Sequence, residues 1–119
     1  MNKRILLIDD EPALVRIVER FAKWHKWPLE TVHYPFSESP FRQDNGADMV
    51  ICDGLDRKWE EVYSEALKAN PKTYFVVFSG DYDIISRAKE NGIVAVQKEP
   101  TIFSEQINEM IGSYLKTQE

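Results

Sequence analysis

The sequence predicts an α/β fold: a doubly wound parallel sheet of five strands with helices on both faces. Two observations carry that expectation. Short, solid apolar runs recur at Ile5–Ile8, Met49–Cys52, Tyr74–Phe78 and Ile93–Val96. Most of them lead, after a polar turn, into apolar residues at helical spacing. A solid run of β-formers marks a strand buried on both faces. Strands alternating with helices mean crossover connections, and these make the sheet parallel.

The elements follow in order. Ile5-Leu6-Leu7-Ile8 is stopped by Asp9-Asp10-Glu11. Pro12 stands where a helix can begin, because the first turn needs no N–H from it. Leu14, Ile17, Val18, Phe21 and Ala22 give that helix its apolar face. Leu29 to Tyr34 reads as the second strand. Residues 35–46 hold two prolines, so a helix there is short or irregular. Met49–Cys52 is the third strand, stopped by Asp53. Trp59, Val62, Tyr63, Ala66 and Leu67 form the next helical stripe, closed by Asn70-Pro71. Tyr74–Phe78 ends at Ser79-Gly80-Asp81. A helix holding Ile84, Ile85 and Ala88 runs to Asn91-Gly92, a helix-ending pair. Ile93–Val96 ends at Gln97-Lys98-Glu99-Pro100. Thr101 is expected to cap a last helix with the face Phe103, Ile107, Met110, Ile111 and Tyr114.

Composition sets bounds on function. A chain of 119 residues is one domain and buries roughly two-thirds of its unfolded surface. A net charge of −5 argues against nucleic acid or an anionic membrane as the main partner. The only cysteine is Cys52, so no internal disulfide forms, as suits a reducing compartment. The apolar run after Met1–Arg4 is too short for a signal peptide or a membrane span, and a cytoplasmic location is expected.

In a doubly wound sheet, sites form at the carboxyl ends of the strands near a switch in strand order. The polar residues at those ends are Asp9, Asp10, Asp53, Ser79 and Lys98. If the first and third strands are neighbours, three carboxylates converge. Like charges that close repel unless a cation lies between them. An all-oxygen set with room for water suits Mg²⁺. A carboxylate, a divalent cation, a lysine and a hydroxyl are the parts for phosphoryl transfer to Asp.

Asp9-Asp10-Glu11 after the first strand, Asp53 after the third, Ser79-Gly80 after the fourth and Lys98 near a proline resemble the receiver domain of two-component response regulators. The resemblance spans residues 1–119 as one receiver domain. It implies a flavodoxin-like (βα)5 fold with strand order 2-1-3-4-5. It implies Asp53 as phosphoacceptor, Asp10 as a direct Mg²⁺ ligand, Asp9 binding through water and the Leu55 backbone carbonyl as a further ligand. Ser79 would hydrogen-bond the phosphoryl group and Lys98 would pair with it. The implied phosphodonor is a sensor histidine kinase or phosphotransfer protein. The implied output surface is the face of the fourth helix, fifth strand and fifth helix, which would bind a target or a second copy. Such a domain catalyses only its own phosphorylation and dephosphorylation and is not a metabolic enzyme.

Several positions depart from the family's pattern. Glu99 stands between Lys98 and Pro100, where the family has Lys directly before Pro. Choosing Lys98 puts Val96 inside and Gln97 outside, which keeps the alternation of a strand. Choosing Glu99 would bury Gln97, at about 1–3 kcal/mol if unpaired. Asp56-Arg57 replace a common Met-Pro. Asp81 adds an acid two residues beyond Ser79. Ala95 takes the place of an aromatic switch residue. Without that ring the domain would accept phosphate yet signal by another route, or serve as a phosphate sink. The alternative to the acceptor reading as a whole is a degenerate receiver that binds its partner without phosphorylation. No Ser-His-Asp set or glycine-rich phosphate loop supports a hydrolase.

The remaining motifs read blandly. Cys52 is a small buried residue on its strand. His25 and His33 lack metal-ligand spacing. Lys23-Trp24-His25-Lys26-Trp27 mixes cations and aromatics as nucleic-acid patches do. At −5 overall, it reads as an amphipathic helix end.

Overall fold

The computed structural model describes residues 3–41 and 46–118. Five parallel strands form one sheet in the order β2-β1-β3-β4-β5. They are β1 (Ile5–Asp9), β2 (Leu29–His33), β3 (Met49–Cys52), β4 (Tyr74–Ser79) and β5 (Val94–Gln97). The helices are α1 (Pro12–His25), α2 (Trp59–Ala69), α3 (Tyr82–Glu90) and α4 (Phe103–Thr117). A short 3₁₀ turn, Leu55–Arg57, precedes α2.

Each strand puts alternate side chains on opposite faces. Ile5, Leu7, Met49, Ile51, Val76 and Phe78 pack with α1 and α4 through Val18, Ile107, Ile111 and Tyr114. Leu6, Ile8, Val50, Cys52, Phe75 and Val77 pack with α2 and α3 through Trp59, Val62, Ala66, Ile84, Ile85 and Ala88. Two cores sandwich the sheet, which is why the inner strands read as solid apolar runs.

The expected (βα)5 pattern is corrected at one step. The described residues hold four α-helices, and those between β2 and β3 form none. Pro35 and Pro40 account for it: each lacks an N–H and biases the residue before it away from helix. Phe41 enters the core instead, with Tyr34 and Phe36 packed against it, so aromatic side chains cover the sheet where a helix would. Residues 42–45 of the segment read as a short or irregular helix lie outside the described residues. The face assigned to the fourth helix, fifth strand and fifth helix is therefore built here by α3, β5 and α4.

Two local expectations are also corrected. Thr101 does not cap the last helix: Ile102 is the N-cap and gives no side-chain hydrogen bond. The face of α1 is rotated from the expected one. Val15, Val18 and Ala22 point inward, while Ile17 and Phe21 remain exposed. The end of α3 forms as expected, with Asn91 as C-cap and Gly92 at φ 73°, a value glycine reaches without strain.

Candidate functional site

The sheet register builds the site. Ile8 pairs with Cys52 across the β1–β3 ladder. One residue further, the Asp53 N–H donates to the Ile8 carbonyl at 2.8 Å. Asp9 and Asp53 thus leave adjacent strands at the same level, where the strand order turns. Asp10 begins the β1–α1 turn. Oxygen atoms of Asp9, Asp10 and Asp53 all lie within 4.8 Å of one another.

Lys98 reaches this cluster from the far edge of the sheet. The pairing of Ser79 with Gln97 ends β5. The Lys98 N–H then donates to the Ser79 carbonyl at 2.8 Å, which fixes where its side chain starts. Its Nζ donates to Asp53 Oδ1 at 2.7 Å and Asp9 Oδ2 at 3.0 Å. It also lies 5.4 Å from the centre of the Phe78 ring. Glu99 is exposed and its N–H is taken by Gln106 Oε1 at 2.9 Å. Of the two candidates, Lys98 is the one among the acids.

The two long-range ion pairs differ from surface ones because Lys98, Asp9 and Asp53 are mostly covered. Burial lowers the Lys98 pKa, but its bonds to Asp53 and the charges of Asp53 and Asp9 outweigh burial and hold it above the ordinary lysine value. Asp9 goes the other way for a carboxylate. Burial raises its pKa, and the attraction of Lys98 does not fully offset burial and the nearby charge of Asp53. A crowded anionic cluster with one lysine is short of positive charge.

Backbone donors orient the carboxylates. The Glu11 N–H donates to Asp9 Oδ1 at 2.9 Å, and the Leu55 N–H to Asp53 Oδ2 at 3.1 Å. Leu55, Asp56 and Arg57 all have positive φ, 51°, 52° and 74°. Such conformations cost non-glycine residues roughly 1–2 kcal/mol each. The Leu55 carbonyl accepts the Lys58 N–H at 3.0 Å, so a ligand role for it would use its second lone pair.

Ser79 is buried at the end of β4, and its Oγ accepts the Asp81 N–H at 3.1 Å. Its hydroxyl proton remains available to donate. Asp81 caps α3 by accepting the Asp83 N–H at 2.9 Å. Cys52 is buried beneath the site; burial, then the charges of Asp53 and Asp9, push its thiol pKa well up, so it stays protonated.

Two neighbours went unread in the sequence. His33 ends β2 and its Nε2 lies 3.2 Å from the Asp10 carbonyl oxygen. Only the strand order shows this, since His33 is far from Asp10 in sequence. Gly54 has helical angles, so backbone freedom does not require glycine there. A Cβ would stand 2.6 Å from Ile84 Cδ1 and 3.1 Å from Ser79 Oγ. The close approach of α3 to the Asp53 loop is what needs a bare Cα.

The donor set fits Mg²⁺: three carboxylates and no nitrogen or sulfur ligand in the cluster. Asp9, Asp10 and Asp53 would hold the ion, with Lys98 giving way or sharing Asp53.

No family model and no curated protein matches the sequence. Solved structures do match. The adenylate cyclase from Rhodopirellula baltica superposes with a TM-score of 0.71 at 22% identity, covering 99% of this chain and 94% of that one. A CheY-like response regulator receiver domain protein from Methanospirillum hungatei JF-1 gives 0.61 at 17% identity, covering 98% and 99%. A LuxR family DNA-binding response regulator from Silicibacter pomeroyi gives 0.56 at 12% identity, covering 93% of each chain. The chain has the doubly wound flavodoxin-like architecture. Within that class, its fold is that of a response-regulator receiver domain.

Proposed function

We propose that residues 1–119 form a phosphoacceptor receiver domain of two-component signal transduction, cytoplasmic and driven by a histidine kinase or phosphotransfer protein. One observation carries this reading: Lys98 Nζ lies between Asp9 and Asp53 at the switch in strand order, with Asp10 alongside.

Each residue then has a task. An Asp53 oxygen attacks phosphorus in line. The new P–O bond forms as the donor's P–N or acyl P–O bond breaks, and the donor keeps that electron pair. Lys98 keeps one ammonium against the phosphoryl oxygens, and Ser79 donates its hydroxyl proton to another. Asp9 and Asp10, with Asp53, would hold Mg²⁺, which would supply charge neutralisation on the transferring group. The backbone N–H groups of Glu11 and Leu55 keep the carboxylates aimed. The domain is a self-modifying switch and not a metabolic enzyme. Its output would leave through α3, β5 and α4 toward a target or a second copy.

Intact mass after incubation with acetyl phosphate, with and without Mg²⁺, tests the reading. The expected result is one added phosphoryl group that needs Mg²⁺ and disappears in Asp53→Asn. An adduct that persists in Asp53→Asn would sink the assignment.

A second reading is a receiver that binds its partner without phosphorylation. Ala95, which gives β5 no aromatic ring, favours it. A partner that binds Asp53→Asn and the phosphorylated protein equally would select this reading.

A further inference from the structure

The starts of the strands, opposite the acids, open onto a cavity of about 330 Å³ between the sheet and α4. Met49, Tyr74 and Val94, the first residues of β3, β4 and β5, all line it. The reason for the space is in α4. Ile107, Ile111 and Tyr114 are buried against the inner strands. The next row, Gln106, Met110, Ser113 and Thr117, follows at i, i+4, i+7 and i+11 and hangs over β5. Its side chains are polar or flexible, and β5 offers only Val94 and Val96 in return, so the gap stays open.

The walls select one kind of guest. The Tyr74 and Tyr114 rings meet at 43°, with centroids 5.6 Å apart. Tyr114 is buried and Tyr74 is 42% exposed, so the pair makes a corner that opens to solvent. Met49 and Met110 add polarisable thioethers. Glu109 is exposed at the rim, and its carboxylate has no ion pair or hydrogen bond with another described residue. No Lys, Arg or His lines the cavity. A second acid lies behind the corner: the Tyr114 hydroxyl donates to the Asp48 carbonyl at 3.3 Å. Burial, and then the charge of Asp48, raise the Tyr114 pKa, so its ring stays a neutral phenol.

We infer that this cavity binds a small organic cation, an alkylated ammonium with no acid group, its methyl groups against Tyr74 and Tyr114 and its charge facing Glu109. Aromatic faces attract a cation through their ring quadrupole, and a water-poor corner strengthens that attraction. A mostly apolar hollow with few polar groups is the usual form of a small-molecule site. The other guests fit less well. A bare ammonium is compact and strongly hydrated, so it gains less from apolar walls. A guest with a carboxylate or phosphate would bring a like charge toward Glu109 and Asp48. From Tyr74 to Ser79 the strand rises by about 17 Å, so the cavity is remote from Asp53. The inference does not rest on phosphorylation.

The test is calorimetry of the full chain with choline and with the neutral alcohol that has carbon in place of its nitrogen. Choline is expected to bind at least about tenfold more tightly. Amide NMR shifts locate the site: those of Tyr74, Val94 and Ser113 should move, and those of Asp10 and Asp53 should not. Tyr74→Phe keeps the ring and should bind choline as wild type does. Tyr74→Leu keeps apolar bulk without the ring and should weaken choline at least about fivefold. Glu109→Gln, on the exposed side of α4, should weaken choline and leave the neutral alcohol unaffected. Asp53→Asn should bind choline as before, so failure here and failure of the acceptor reading are seen separately. Phosphocholine distinguishes a free cation from a lipid headgroup and is expected to bind far more weakly than choline. Equal binding of choline and the neutral alcohol, or an unaltered affinity in Tyr74→Leu, would overturn the inference. So would phosphocholine binding as tightly as choline, or shifts confined to the acid cluster.

Discussion

Strands β1 and β3 are buried at every residue and β4 at all but Tyr74, whereas β2 and β5 hold only half-buried and exposed positions. The site draws on both kinds. Asp9, Asp53 and Ser79 follow from the inner strands, and the backbone beneath them cannot slide without exposing two cores. Lys98 follows from an edge strand and reaches inward on a long side chain. The inner strands set the geometry of the acids. The edge contributes a charge whose flexible stem tolerates a backbone held less firmly.

Matched truncations give the largest test of that contrast. Ile8→Ala removes a fully buried side chain beneath Asp9 and should cost about 2–5 kcal/mol. Val94→Ala on β5 removes one that is 45% exposed and should stay within about 0.5 kcal/mol. Urea unfolding of both variants measures it. A loss at Val94 as large as that at Ile8 would break the distinction between centre and edge.

The same contrast explains what the sequence could show. Ile5–Ile8 and Met49–Cys52 have one reading because both of their faces are apolar, and each ends at an acid. Their ends named Asp9, Asp10 and Asp53 with no knowledge of pairing. On β5 the alternation of Val96 and Gln97 was enough to choose Lys98 over Glu99. Local pattern failed where tertiary packing decides. The apolar sector of α1 is wider than the core can cover, so spacing could not tell Ile17 and Phe21 from Val15. The stretch from Tyr34 to Phe41 buries an aromatic side chain without any helical period. His33 and Gly54 matter through neighbours distant in sequence, Asp10 and Ile84.

A smaller effect sharpens the comparison at the loop joining β3 to α2. Gly54→Ala puts a methyl group against Ile84 Cδ1 and Ser79 Oγ. Overpacking of this kind costs about 1–3 kcal/mol. The clash is with the tip of a flexible side chain, so Ile84→Val, which lacks that carbon, should recover much of the loss. A double-mutant cycle in urea reads the coupling. If Ile84→Val gave no recovery, the strain would lie in the loop backbone, whose next three residues already have positive φ.

The smallest effect is expected from an inner-strand residue and runs the opposite way. Burial raises the Asp9 pKa above its ordinary value of 3.8, so the folded chain binds a proton there more readily than the unfolded one. Stability therefore falls as pH rises from the ordinary carboxylate range through the raised value. Above that window the ionised Asp9 is a net burden on the fold. Asp9→Asn removes it, and its amide oxygen can still accept the Glu11 N–H. The variant should be more stable by about 1 kcal/mol at neutral pH. That gain should shrink to nothing at low pH, where Asp9 is protonated in both states. Lys98 acts at the other end of the scale. Its raised pKa contributes stability that is whole below the ordinary lysine value and lost as pH rises through the raised one. Asp9→Asn removes one of its two acid partners, so the variant should lose less stability than wild type on the alkaline side. Thermal melts across pH give both slopes, and Mg²⁺ titration of the same samples gives the functional side. A more stable variant that binds Mg²⁺ more weakly shows the acids held together for the ion and at the expense of the fold. A variant less stable at neutral pH would mean that the Lys98–Asp9 pair outweighs the burial of Asp9, and that the cluster is a structural ion pair first.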